Sequence, residues 1–192
     1  MNADLCFKFS KTKWEGLSRR LDGDDEEAWA EAIGVFERRM RERFFSSIDA
    51  LVDVDTKPDR AASRPPDKEI CTPGFSIIAL CCLLIDTLQG FRESLPLTPQ
   101  PPGPCTFPPG PCIKPPGRTK RKFKEFLGRP AFGGEFDGEP GEKFESGVRN
   151  GIFHDAETRQ WVIWRERPVG KIVAPEEDGF ALNRNLFYEA VK

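Results

Sequence analysis

Residues 96–117 carry ten prolines: Pro96, Pro99, Pro101, Pro102, Pro104, Pro108, Pro109, Pro111, Pro115 and Pro116. Proline donates no amide hydrogen bond and fixes its own φ, so this stretch is neither a helix nor an inner strand. An extended polyproline loop is expected there, an insertion between core helices that could also dock into an aromatic-lined groove of a partner. The regular structure must therefore fall on either side of it.

On the N-terminal side a short helix is expected from about Thr12 to Arg20. The acidic run Asp22, Asp24, Asp25, Glu26 and Glu27 then opens a long helix. Acids suit the positive end of the helix dipole, and Asp24 or Asp25 can cap it. Trp29, Ile33, Phe36, Met40, Phe44, Ile48 and Leu51 follow at steps of three and four, which predicts one buried stripe. Arg38, Arg39, Arg41 and Arg43 lie mostly off it, on a face read as solvated. Pro58, Pro65, Pro66 and Pro73 make residues 56–73 a loop. A second long helix is expected from about Pro73 to Glu93. Its centre, Ile77 to Ile85, is apolar all round and should form the core. That run is too short to span a bilayer, and residues 1–6 show no signal-peptide pattern, so a soluble cytoplasmic protein without membrane association is expected.

Beyond the prolines, Arg118, Lys120, Arg121, Lys122 and Lys124 cluster beside Phe123, Phe126 and Leu127, as in a short basic amphipathic helix. Residues 128–141 are glycine-rich and read as a loop. A further helix should start near Pro140 or Glu142 and run through Phe144, Val148, Ile152 and Phe153. Trp161–Trp164 and Lys171–Ala174, separated by Pro168 and Gly170, read as a small β-hairpin, with a third short strand at 180–182. Trp161 and Trp164 are read as core of that hairpin rather than as platforms for bases. Asn183 can cap a last helix through Leu186, Phe187, Ala190 and Val191. The expected fold class is mainly α, in one domain over residues 1–192. Sixteen Phe and four Trp promise an aromatic core.

With 29 basic and 31 acidic residues the net charge is −2, which by itself selects no partner. Nucleic-acid binding would have to come from a local patch, and residues 118–124 are the strongest one. The six cysteines suggest neither a disulfide framework nor a metal site. Cys81 and Cys82 are adjacent within an apolar helix, Cys105 and Cys112 lie among the prolines, and Cys6 and Cys71 are isolated. With no Cys-x-x-Cys pair, they read as reduced, small hydrophobes, and neither zinc nor another cofactor is expected.

The chemistry concentrates in Arg149-Asn150-Gly151-Ile152-Phe153-His154, which holds the one histidine of the chain. Histidine moves protons near neutrality. Arginine holds phosphate through two parallel hydrogen bonds. Together they can cleave a phosphodiester without a metal. On an ideal α-helix, positions 149 and 154 are about 140° apart and about 7.5 Å apart along the axis. The long arginine can still reach across, and Gly151 can loosen the turn. Asp86 interrupts the apolar helix, and a buried carboxylate needs a partner. A backbone hydrogen bond or an outward position would satisfy it; so would an ion pair with Arg149 or a hydrogen bond to His154.

This stretch resembles the signature of the HEPN superfamily, an arginine often followed by a polar residue and, a few residues later, a histidine. An apolar helix ending in Ile85-Asp86-Thr87-Leu88-Gln89-Gly90-Phe91 precedes it, and Glu157-Thr158 and the strand Trp161-Val162-Ile163-Trp164 follow, as in a bacterial HEPN-like subgroup. The resemblance covers residues 75 to 165 and leaves the first 70 unexplained. It implies a HEPN-like helical bundle with a small C-terminal hairpin, and a homodimer that brings two motifs into one cleft. It also implies a metal-independent endoribonuclease of the toxin or antiviral-effector kind, with an antitoxin or defence protein as a further partner. In that role His154 is general base or acid and Arg149 neutralises the phosphorane. Asn150 donates to a phosphate oxygen or holds His154, and Asp86 orients the site. Arg118, Lys120, Arg121, Lys122 and Lys124 would guide the RNA backbone. Two other readings use the same residues differently: a non-catalytic module gripping RNA, a nucleotide or a protein, and a scaffold whose proline-rich loop and basic helix recruit partners.

Overall fold

The structure, a computed structural model, describes residues 4–6, 9–21, 23–56, 73–93 and 118–192. The loops expected over 57–72 and 96–117 lie outside the described residues, as does the Arg118 side chain. The chain is mainly helical, with a small three-stranded sheet near its C-terminus. It divides into two compact units, residues 1–64 and 65–192.

In the first unit, β1 (Asp4–Cys6) pairs antiparallel with β2 (Phe9–Ser10), and α1 (Lys11–Ser18) follows directly. The Ser10 hydroxyl accepts from the Lys13 amide and caps α1. The next helix, α2 (Glu26–Met40), starts where the acidic run predicts: Asp25 accepts from the Ala28 amide at 2.9 Å, with Glu26 and Glu27 in the first turn. A π-helical turn over Arg41–Phe45 joins it to α3 (Ser46–Thr56). Phe9, Leu17, Ala28 and Ala32 make a small core, flanked by Trp14, Leu21 and Val35. The predicted stripe holds at Met40 and Ile48, which are buried, and fails at its start. Trp29 is 49% and Ile33 54% exposed. The face of α2 toward α1 is turned by one residue, onto Ala28 and Ala32. These small side chains admit a close helix–helix approach that Trp29 and Ile33 would block.

The second unit is built on α4 (Gly74–Glu93), which buries Ile77, Ile78, Cys81, Cys82, Leu84, Ile85 and Gln89. By length and composition alone this helix could cross a membrane, the one such helix among the described residues. Its apolar centre packs on the helices of this unit, as a core helix does. Its apolar centre is not buried all round, since Leu83 is exposed. The basic helix is α5 (Arg118–Leu127), with Phe123, Phe126 and Leu127 buried and Lys120, Arg121 and Lys124 exposed. A 3₁₀ turn at Pro130–Phe132 leads through tight turns to α6 (Glu139–Phe144), which has Pro140 in its first turn. Phe144 centres the aromatic core, with the rings of Phe123, Phe136, Trp161 and Phe187 at 5.3–5.9 Å.

The sheet corrects the expected hairpin. Its strands are β3 (Trp161–Trp164), β4 (Val173–Glu176) and β5 (Gly179–Asn183), in the order β3-β5-β4. The hairpin is β4–β5, closed by Glu177-Asp178, with Ala174 opposite Ala181. β3 pairs parallel to β5, Trp161 opposite Phe180 and Trp164 opposite Asn183. Pro168 and Gly170 therefore belong to a longer connection rather than to a hairpin turn. Two side chains fix this arrangement. Glu135 accepts the amides of Ile172 and Val173 at 2.7 and 2.9 Å, steering β4 away from β3. Asn183 donates to the Pro168 carbonyl, holding the connection, and accepts from the Leu186 amide, capping α7 (Arg184–Val191).

Candidate functional site

The segment after α6 does not continue as a regular α-helix. It closes two π-helical turns, Glu145–Arg149 and Gly151–Asp155, with the Asn150 amide donating to the Glu145 carbonyl and the Ala156 amide to the Gly151 carbonyl. Such turns inside α-helices recur at functional sites. An i→i+5 closure takes more residues per turn than 3.6. Positions five apart, such as 149 and 154, are thereby carried nearer to one face than an α-helix would allow.

Two glycines seat this segment on the chain that follows it. A Cβ on Gly147 would stand 2.7 Å from the Trp161 ring and 2.9 Å from the Arg159 carbonyl oxygen. One on Gly151 would stand 2.5 Å from the Glu157 carbonyl oxygen. The Arg159 amide donates to the Gly147 carbonyl at 3.0 Å, and the Glu157 amide to the Gly151 carbonyl at 3.3 Å. The motif thus lies directly against residues 157–161, the lead into β3.

Arg149 is held from several directions. Its Nη2 is 3.5 Å from Asp86 Oδ2 on α4, with the two side chains 24% and 27% exposed. Its Nη1 donates to Asn150 Oδ1 at 2.8 Å, and the Asn150 amide group donates onward to Glu145 Oε1 at 2.9 Å. The guanidinium lies over the Phe153 ring at 5.3 Å, within cation–π range. The pairing of Asp86 with Arg149 is therefore present, and the carboxylate on the apolar helix has its partner. Asn150 holds the arginine rather than His154, because both ends of its carboxamide are engaged elsewhere. Among the described residues His154 makes no hydrogen bond or ion pair, and its side chain is exposed. Asp155 pairs instead with Arg159. Near this pair, burial pushes the Cys82 thiol well above its usual range, with smaller effects from Cys81, Arg149 and Asp86, so it is no nucleophile near neutrality.

The basic helix is partly neutralised. Lys124 pairs with Glu142 at 3.4 Å and Arg121 with Glu125 at 3.6 Å. Lys120 is exposed and Lys122 half-buried, and neither has an acidic partner among the described residues. Glu145 gives no signal in the sequence beyond being a carboxylate one turn before Arg149. The sequence suggests only that Gly151 loosens the turn and gives Gly147 no role, although two glycines four apart in a helical segment are a signal of close backbone approach. Among the described residues no group of three or more His, Cys, Asp or Glu side chains is placed to hold a metal ion. What the arrangement offers is a pre-oriented guanidinium and, five residues further along the same segment, a solvent-exposed imidazole. No family model matches this chain, and comparison with curated proteins and with solved structures finds nothing similar.

Proposed function

We propose that the second unit is a HEPN-like, metal-independent endoribonuclease acting through Arg149 and His154. The observation that carries this reading is the clamp on Arg149, from Asp86 and Asn150, with His154 exposed five residues later on the paired π turns. A preorganised cation costs little reorganisation when charge develops on a phosphorane. His154 takes the proton of the 2′-hydroxyl as that oxygen attacks phosphorus, or gives one to the departing 5′-oxygen. The products are a 2′,3′-cyclic phosphate and a 5′-hydroxyl. A homodimer would let two copies of His154 divide these tasks. DNA, lacking the attacking hydroxyl, is not a substrate by this route. Lys120 and Lys122 are the cations best placed in charge terms to draw in an RNA backbone.

The test is cleavage of a mixed RNA panel in excess EDTA by wild type, His154→Ala, Arg149→Ala and Asp86→Asn, each shown to be folded. Wild-type cutting lost in the first two, with 2′,3′-cyclic phosphate ends, is the expected result. Asp86→Asn should reduce the rate by about tenfold or more, as loss of a half-buried charged partner does. A second reading draws on the same clamp. Because the clamp holds the guanidinium in place while His154 makes no hydrogen bond to it among the described residues, the site is also suited to grip an RNA, nucleotide or protein without chemistry. Under that reading no variant cuts, Arg149→Ala loses affinity and His154→Ala keeps it.

A further inference from the structure

The first unit contains a cavity of about 610 Å³ between α1 and α2, within the size range of small-molecule sites. Its floor is apolar, made by Phe9, Leu17 and Val35. Its two walls share one pattern. Lys13, Gly16 and Arg20 run along α1 and the turn after it, and Glu31, Gly34 and Arg38 run along α2 with the same spacing. Each wall therefore has a glycine at its middle. A Cβ on either Gly16 or Gly34 would meet no heavy atom within 4 Å, so the missing side chains leave open space. At one end the walls are tied together, since Arg20 lies 3.6 Å from Glu31 and 3.0 Å from the capping carboxylate of Asp25. Lys13 and Arg38 have no acidic partner among the described residues. The lining thus carries three cations against one acid, in a chain whose net charge is −2.

We propose that this cavity binds a small amphipathic anion, its apolar body lying over Gly16 and Gly34 and its carboxylate or phosphate meeting Lys13 and Arg38. The apolar floor supplies burial, the glycines supply room, and the two unpaired cations supply the charge complement. The site uses residues of the first unit alone and does not depend on the ribonuclease reading.

The test is a fluorescence titration of the full chain with anilinonaphthalene sulfonate, an anionic aromatic probe. Wild type should bind with one saturable site. Gly34→Leu places a side chain in the open space without a clash and raises helix propensity, so it should fold at least as well as wild type and lose the probe. Gly16→Leu provides the same test from the other wall. Lys13→Gln with Arg38→Gln should weaken binding on the order of tenfold at low salt and leave a neutral naphthylamine probe unaffected. Displacement of the probe by decanoate would assign an acyl carboxylate, and displacement by adenosine monophosphate a nucleotide. Unchanged probe binding in folded Gly34→Leu and Gly16→Leu, absence of binding by wild type, or displacement by neither competitor would overturn the proposal.

Discussion

In the second unit the large side chains are inside, with Phe144 ringed by Phe123, Phe136, Trp161 and Phe187. In the first, Trp29 and Ile33 face outward while Ala28 and Ala32 fill the seam between α1 and α2. Their glycines differ in the same sense. Gly147 and Gly151 are pressed against backbone and ring atoms, whereas Gly16 and Gly34 face empty space. A hydrophobic stripe shows that a helix has a face to bury. Which residues are buried depends on how closely the neighbouring helix comes, and small residues decide that.

The largest expected effect breaks the aromatic core. Phe144→Ala should cost about 3–5 kcal/mol in urea unfolding, and Trp29→Ala should stay within about 0.5 kcal/mol. Equal losses would mean that the first unit buries Trp29 after all. The glycines give the next contrast. Gly147→Ala and Gly151→Ala should each cost about 1–3 kcal/mol, because Trp161 or the 157–159 backbone must move. Gly34→Ala should instead gain up to about 1 kcal/mol. The smallest effect concerns acid. The amide of Ala28, and after it the guanidinium of Arg20, holds the Asp25 carboxyl below the usual carboxylate range. A carboxyl depressed in the folded state contributes stability above its unfolded pKa and loses it as pH falls through the folded value. Asp25→Asn should therefore flatten the acid limb of helix content followed by circular dichroism. It should leave the neutral-pH contrast between the units in place.

Local signals read well from the chain. Asp25 and Asn183 cap the helices expected of them, because a cap is satisfied within three residues. The amphipathic basic helix and its buried Phe123, Phe126 and Leu127 follow from periodicity alone. The Asp86–Arg149 pair was only one of several alternatives, because a carboxylate in an apolar helix can be satisfied by a backbone group, by water or by any nearby cation. The strand order was not legible, since β3 takes as neighbour a strand about twenty residues later and the choice turns on Glu135, far from either in sequence. The π turns were equally hidden, because they arise from how Gly147 and Gly151 settle on residues 157–161 rather than from propensity.

The middle strand of the sheet, β5, is the last of the three to be made. When a ribosome has delivered the chain as far as Trp164, Arg149 and His154 already exist, but β3 beneath them has no strand to pair with. It gains one only after residues 179–183 emerge, and until then the Trp161 ring under Gly147 has Phe144 beside it but lacks Phe180. A nascent chain therefore completes the support for its candidate site only once residues 179–183 have emerged.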